Sequence, residues 1–156
     1  MRFLLKTIIK PPQLIALLLI SMLLGSGSAH AQASDSIVGV WKTYDDDTNQ
    51  PAALVEIAEK NGVYSGVITQ LLDPNAPVYC SKCTDSRKGK PVNGLEILTG
   101  LKKTGSSYSG GQILDPDDGE IYRAEIKLKD QGSKLELRAY IGIPLLGRTQ
   151  SWTREK

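Results

Sequence analysis

The chain has 156 residues, a formal net charge of +2 and a single histidine, His30, which lies in its N-terminal segment. A nearly neutral chain of this length suits one domain and lacks the concentrated positive charge of a nucleic-acid-binding protein. Because residues 32–156 contain no histidine, Ser-His-Asp and Cys-His catalysis and histidine metal ligation are excluded from that part of the chain.

The N-terminal segment has the three parts of a secretory signal peptide. Residues 1–10 carry basic side chains and no acid, residues 14–24 form an apolar run, and small residues follow up to Ala31. The apolar run is too short to span a bilayer, which needs roughly 20 residues. The sequence therefore predicts a signal peptide at residues 1–31. It also predicts a periplasmic or secreted mature domain at residues 32–156 that does not span the membrane.

The mature part shows short strands separated by turns. Apolar and polar residues alternate along residues 122–129 and 134–141, which is typical of strands buried on one face. Asn61-Gly62 is a strong hairpin turn, and residues 115–119 place Pro and Gly where a turn favours them. Strands are predicted at residues 38–44, 53–59, 63–72, 95–102, 108–114, 122–129, 134–141 and 145–154.

About eight strands with mostly short connections predict an all-β fold, an antiparallel up-and-down barrel. A barrel of this size is just wide enough to be filled by side chains or to hold one small ligand. A β-sandwich is the alternative architecture. Residues 73–93 interrupt the regular pattern with a long loop, and loops of this length are usually functional or tied down.

Cys80 and Cys83 are separated by two residues within this loop, and three interpretations compete. An oxidising compartment favours a structural disulfide. A redox-active pair is the second interpretation, although thioredoxin-like proteins place Cys-x-x-Cys at the start of a helix that follows a strand. Metal binding is the third and has the least support, because a closed zinc site needs four ligands.

Two acidic segments are interpreted as solvated turns rather than ion sites. Residues 45–49 resemble the start of a calcium loop, but Gln50 stands where that loop needs a glycine. The acidic residues at 115–120 are interpreted in the same way. No nucleophile elbow, phosphate-binding loop or dinucleotide fingerprint occurs. We therefore expect no metal, no other cofactor and no enzymatic activity.

The two tryptophans lie near opposite ends of the mature part, Trp41 in Gly39-Val40-Trp41 and Trp152 in the C-terminal segment 147–154. When a barrel closes, a Trp on the first strand can meet an Arg from the last strand, which stacks over the indole face. Such a pair would be structural and would seal one end of the barrel.

An ordered series of motifs along nearly the whole mature part resembles an exported bacterial family known as domain of unknown function 2147. Gly39-x-Trp41 together with a late Arg also resembles the lipocalin and calycin barrels. The motifs are Gly39-x-Trp41, Tyr64-Ser65-Gly66-x-Ile68, Cys80-x-x-Cys83, Lys90-Pro91-x-x-Gly94-Leu95, Gly110-Gly111-x-Ile113-x-Asp115-Pro116, Gly119-x-x-Tyr122, Leu137-Arg138-x-Tyr140-Ile141-Gly142 and Leu146-Gly147-Arg148-Thr149-Gln150-x-Trp152-x-Arg154.

The resemblance implies an exported lipocalin-like barrel that binds a small apolar ligand, and it implies no particular enzyme activity. One departure from the family pattern concerns strand packing only: Ala139 follows Arg138 where many members have glycine.

The leading hypothesis is a non-enzymatic protein whose barrel holds a fatty acid or another small amphipathic molecule. A filled core without room for a ligand is the competing interpretation. Arg138 or Arg148 is the candidate partner for a ligand carboxylate. The interior residues expected from the alternation are Trp41, Val55, Ile57, Ile97, Tyr122, Ile126, Leu137, Ile141 and Trp152.

Two further hypotheses remain. The first is a structural or protein-interaction module of the envelope, in which the loop at residues 73–93 meets an acidic partner. Its basic side chains are Lys82, Arg87, Lys88 and Lys90. The second is a thiol-disulfide redox protein that uses Cys80 and Cys83.

Overall fold

The computed structural model describes residues 35–156, so the predicted signal peptide at residues 1–31 lies outside the described part of the chain. Single turns of 3₁₀ helix at Asp130–Gly132 and Pro144–Leu146 precede the last two strands. Over the described residues, no helix has the length and apolar character needed to cross a membrane. The strands are β1 (Gly39–Tyr44), β2 (Pro51–Lys60), β3 (Val63–Leu71), β4 (Glu96–Thr104), β5 (Ser107–Leu114), β6 (Ile121–Lys129), β7 (Lys134–Tyr140) and β8 (Arg148–Arg154).

Each strand pairs antiparallel with the next, and β8 returns to pair with β1, so the sheet closes into a barrel. The seam between the last and first strands is short, with Trp41 opposite Arg154 and Lys42 opposite Thr153. Closure leaves no strand with an unpaired edge. The predicted all-β, eight-stranded antiparallel up-and-down barrel is therefore confirmed, and the alternative β-sandwich is wrong.

The alternation of β6 and β7 determines which side chains fill the barrel. Ala124 and Ile126 on β6, and Leu135 and Leu137 on β7, are at most 2% exposed. The alternation continues to Ala139, which is 4% exposed, and ends there because β7 stops at Tyr140 and the chain turns away. Ile141, which was expected inside, is 64% exposed. Its predicted interior position is wrong because the strand does not reach it.

The up-and-down topology gives the barrel two different ends. The end that carries the β1–β2, β3–β4, β5–β6 and β7–β8 connections is called the open end below. The opposite end, called the closed end, carries the three remaining connections and the N-terminal segment at residues 35–38.

Arg154 seals the closed end. Its guanidinium lies 4.1 Å from the centroid of the Trp41 ring, and the Trp41 Nε1–H donates a hydrogen bond to the Ile37 carbonyl at 2.8 Å. A side chain on Gly39 would collide with the guanidinium, since its Cβ would lie 2.7 Å from Nη1. The predicted stacking of a late Arg on Trp41 is confirmed. Arg154 also donates to three backbone carbonyls, each at 2.7 Å: Ser36, Val38 and Gly132.

Candidate ligand-binding site

The barrel contains a cavity of about 560 Å³ that reaches the open end. Ligand sites in proteins commonly enclose roughly 300–1,000 Å³, so the volume suits one small molecule. Apolar side chains from β2, β3, β4, β5, β7 and β8 form the inner wall: Ala53, Val55, Ile68, Ile97, Ile113, Leu137, Ala139 and Trp152. The half of the barrel next to the open end therefore contains a cavity, and the apolar residues at its base are nearly fully buried.

The predicted interior residues divide into those that border this cavity and those that pack elsewhere. Trp41, Ile57 and Ile126 are at most 1% exposed and belong to the packed core, but they are not part of the cavity wall. The predicted residues that border the cavity are Val55, Ile97, Tyr122, Leu137, Arg148 and Trp152.

Arg138 was predicted to pair with the carboxylate of a bound ligand. It lies on the outer surface of the barrel and is not positioned to reach the cavity. It alternates with Leu137 and Ala139, which point inward, and neighbouring residues of a strand face opposite sides. Its guanidinium donates to the Pro144 carbonyl at 2.7 and 2.9 Å and to Thr149 Oγ1 at 2.8 Å. Arg138 therefore anchors the β7–β8 connection.

The strands around the cavity do not all keep a regular inward–outward alternation of side chains. The pairing register shifts between Leu54 and Val55 and again around Gly66, and a bulge separates Tyr108 from Gly111 on β5. A bulge inserts one residue and changes which side chains face inward. Ile113 lies beyond the β5 bulge and was missed for this reason, whereas Ile68 is in phase with the buried Gly66 on β3 and was simply not among the expected interior residues.

Carboxylates surround the open end. The contributing connections are β1–β2, β3–β4 and β5–β6, which are far apart in the chain. The acidic segments interpreted as separate solvated turns thus lie around one cavity, a proximity that only the closed barrel creates. The aspartates that border the cavity, called the aspartate rim below, number seven: Asp45, Asp46, Asp47, Asp73, Asp115, Asp117 and Asp118.

Arg148 is the one cation among the described residues that border the cavity. Its guanidinium forms an ion pair with Asp115 and lies 3.4 Å from Asp46. It also lies 5.3 Å from the centroid of the Tyr122 ring. Two rim carboxylates and an aromatic face already surround Arg148, so a ligand carboxylate would have to displace them to reach it.

Crowding of the rim changes the acidity of its groups. Partial desolvation, and then repulsion from Asp115, Asp118 and Asp45, raise the pKa of Asp117 above its usual value, and the nearby Lys82 opposes the shift. The Tyr122 hydroxyl donates a hydrogen bond to Asp118 at 2.7 Å. That bond and desolvation raise the pKa of Tyr122 to about 12. Repulsion between rim carboxylates therefore disfavours the charged form of Asp117.

Asp117→Asn is expected to increase the free energy of unfolding at neutral pH. A carboxyl whose pKa is raised by folding stabilises the fold below its unfolded pKa, near 3.9, and loses that contribution as the pH rises through the folded pKa. The amide resembles the protonated acid, so the gain should shrink toward zero in acid. Urea unfolding of both proteins across pH measures it. A gain that is equal at every pH contradicts the prediction.

The β3–β4 connection, residues 72–95, covers one side of the open end. Ala76, Pro77 and Val92 border the cavity. Tyr79 pairs with Pro91 in an isolated bridge, which closes the loop on itself. The loop also packs closely on the β5–β6 turn. The contact is so close that a Cβ on Gly119 would collide with the Lys82 carbonyl.

Cys80 and Cys83 form a disulfide inside this loop, with their Cα atoms 5.4 Å apart. Both residues are at most 1% exposed. The structural disulfide expected from the compartment is therefore present, and its burial disfavours attack by an external thiolate.

Cys83→Ala is expected to lower stability without affecting any thiol-exchange activity. In the chain-entropy description, opening so short a disulfide loop costs about 2 kcal/mol. Urea unfolding in the presence and absence of a reductant measures the loss. The rate at which wild-type protein reduces or oxidises a model peptide disulfide is the second readout. A wild-type rate well above that of Cys83→Ala would restore the redox hypothesis.

A closed antiparallel barrel with one sealed end and a cavity at the other, apolar at its base and acidic at its mouth, is a lipocalin-like fold. The sequence model of a family described as "Uncharacterized protein conserved in bacteria (DUF2147)" matches residues 39–154, and the chain belongs to this family. The resemblance seen in the ordered motifs is thereby confirmed.

A solved structure shows the same fold. It is described as protein HP1028 from the human pathogen Helicobacter pylori, which belongs to the lipocalin family. The two chains share 22% identity with a TM-score of 0.68, and the match covers 78% of this chain and 84% of the other. At this identity the likeness concerns the fold alone. No curated protein matches the chain significantly in sequence.

Proposed function

We propose that the protein is an exported, non-enzymatic carrier that binds one small hydrophobic or amphipathic molecule in the half of its barrel next to the open end. The observation that carries the proposal is the cavity of about 560 Å³, apolar in its depth and reachable from the open end. Small-molecule sites are typically preformed, largely apolar concavities, and the mouths of β-barrels are among their usual places. Export rests on the predicted signal peptide.

The inner wall suits an alkyl or acyl chain such as that of a fatty acid. Val55, Ile97 and Leu137, on three different strands, all border the space and are at most 5% exposed. Each methylene group that leaves water for such a wall gains about 0.8 kcal/mol. A chain of about ten methylene groups therefore gains roughly 8 kcal/mol, which offsets much of the cost of association without a covalent or metal contact.

The β3–β4 loop provides weaker support for an interaction module of the envelope. Arg87, one of its basic side chains, is held by Asp85 and by the Glu96 carbonyl at 3.0 Å. That guanidinium is already engaged within the loop. We therefore place the carrier function first.

Native mass spectrometry of the protein purified from the cells that naturally make it tests the proposal. A reproducible additional mass that departs on denaturation is the expected result, and solvent extraction then identifies the cargo. Competition between Nile red and dodecanol provides the second test, because both are uncharged and apolar. A bare protein together with no saturable binding of either compound would overturn the carrier function.

A further inference from the structure

The cavity is chemically divided along its axis. Its depth is made of apolar side chains, and its open end carries seven aspartates against one arginine among the described lining residues. A ligand whose chain occupies the depth must therefore leave its head group at the aspartate rim. The charge of that rim selects among head groups.

We propose that the ligand of this cavity is a cationic amphiphile, with an apolar chain in the barrel and an amine, quaternary ammonium or guanidinium group among the aspartates. The proposal rests on the carrier function and names the class of its ligand. It differs from the sequence-based expectation of a fatty acid in the sign of the head group.

The rim is unsuited to an anion. Arg148, the cation that a carboxylate would need, already contacts Asp46 and Asp115. A fatty-acid carboxylate would have to separate this guanidinium from its partners and then remain beside the other carboxylates. A cleft lined with one sign of charge and walls of low polarity concentrates ligands of the opposite sign.

Several rim carboxylates are held in place by neighbours, so the rim is ordered before a ligand arrives. Asp46 accepts a hydrogen bond from Gln150 Nε2 at 3.0 Å, Asp118 accepts one from the Tyr122 hydroxyl, and Asp45 accepts one from the Thr48 amide at 2.7 Å. Each of these bonds neutralises no charge, because its donor is uncharged. The negative field at the mouth is therefore preorganised.

An organic cation suits this arrangement better than a metal ion. No group of three or more His, Cys, Asp or Glu side chains in the described residues is disposed to hold one metal ion. Metal ligation needs several oxygens at short, fixed distances. An alkylammonium head needs only a field of the right sign, and its chain supplies the remaining affinity.

Three probes with the same dodecyl chain separate the contributions of chain and head group. Dodecyltrimethylammonium, dodecanol and dodecanoate are each titrated below their micelle concentrations, at low salt and in molar sodium chloride, with Nile red displacement as the readout. We expect the cation to bind roughly tenfold more tightly than the alcohol at low salt and the carboxylate to bind least. The preference should narrow in molar salt, where the Debye length is about 3 Å.

A pair of double variants assigns the preference to the rim. Asp47→Asn with Asp117→Asn lowers the rim charge, and we expect weaker binding of the cation with unchanged binding of dodecanol. Asp130→Asn with Glu136→Gln makes the same change in net charge away from the open end and should leave both affinities unchanged. Equal effects of the two doubles would overturn the proposal.

The outcomes distinguish this inference from the carrier function. Binding of all three probes without discrimination, or a preference for dodecanoate, overturns the cationic ligand and leaves the carrier function standing. Failure of all three probes to bind, together with a bare protein in native mass spectrometry, overturns both.

Discussion

We expect Arg154→Ala to lower the free energy of unfolding by about 3–4 kcal/mol. This is the largest effect on stability that we expect from substituting any one partly exposed side chain. The substitution removes three charge-assisted hydrogen bonds to the carbonyls that close the barrel, at Ser36, Val38 and Gly132. It also removes the guanidinium from the face of Trp41, 4.1 Å away. Hydrogen bonds with a charged partner contribute about 1.5–3 kcal/mol each when taken singly, and their losses overlap at one site.

The physical reason for so large an effect is the weakness of the seam. The ladder between β1 and β8 has two residue pairs, and Arg154 belongs to one of them; beside it, the Glu155 amide donates to the Val40 carbonyl at 2.9 Å. Its guanidinium extends the closure beyond the ladder by tying the segment before β1 to the turn before β7. Without it, the N-terminal segment and the seam should open together.

Urea unfolding followed by tryptophan fluorescence measures this prediction. Arg123→Ala, an exposed substitution on the outer face of β6, is the matched control and should change stability by no more than about 0.5 kcal/mol. Arg154→Lys should be intermediate, because an ammonium cannot reach three carbonyls in the planar arrangement of a guanidinium. If Arg154→Ala were as mild as Arg123→Ala, the seal would not be structural.

Ala139→Phe should abolish most ligand binding while the barrel remains folded. Ala139 is 4% exposed and borders the cavity from β7, so a phenyl ring there would occupy the space assigned to the ligand. A ring that displaces two or more methylene groups costs the ligand at least about 0.8 kcal/mol for each. The affinity for dodecanol should therefore fall by about tenfold or more.

Ala58→Phe is the control for this experiment. Ala58 is exposed on β2, so the same added ring lies outside the barrel and should leave binding unchanged. Urea unfolding of both variants separates a blocked cavity from a damaged fold, because an existing void accepts the ring at little cost in stability. Undiminished binding by a folded Ala139→Phe variant would place the ligand elsewhere and contradict the carrier proposal.

Much of the fold could be predicted from patterns among neighbouring residues. The period-two alternation along β6 and β7, and the Asn61-Gly62 turn, are properties of neighbouring residues, and they predicted strands and a hairpin that the structure contains. The stacking of Trp41 on a late Arg could also be anticipated, because a closed antiparallel barrel must bring its first and last strands together. Export, the ligand and the absence of catalysis stay predictions.

The composition of the cavity could not be read from local pattern. The bulge before Gly111 on β5 and the irregular pairing of β4 opposite Gly66 change which residues face inward, and the end of β7 leaves Ile141 outside. The alternation of apolar and polar residues predicts which side chains face inward only where the strand pairing is regular. The alternation therefore identified part of the inner wall and missed the rest.

The sequence by itself determined about eight strands, their turns and the stacking of a late arginine on Trp41, because these depend on alternation and on chain order; which arginine stacks is seen only in the structure. Only the tertiary structure decided that a cavity opens at the other end and that aspartates from three distant connections surround the opening. It also decided that Arg148 is committed to Asp46 and Asp115 rather than free. These features depend on barrel closure and strand register, which bring together residues that no local pattern relates.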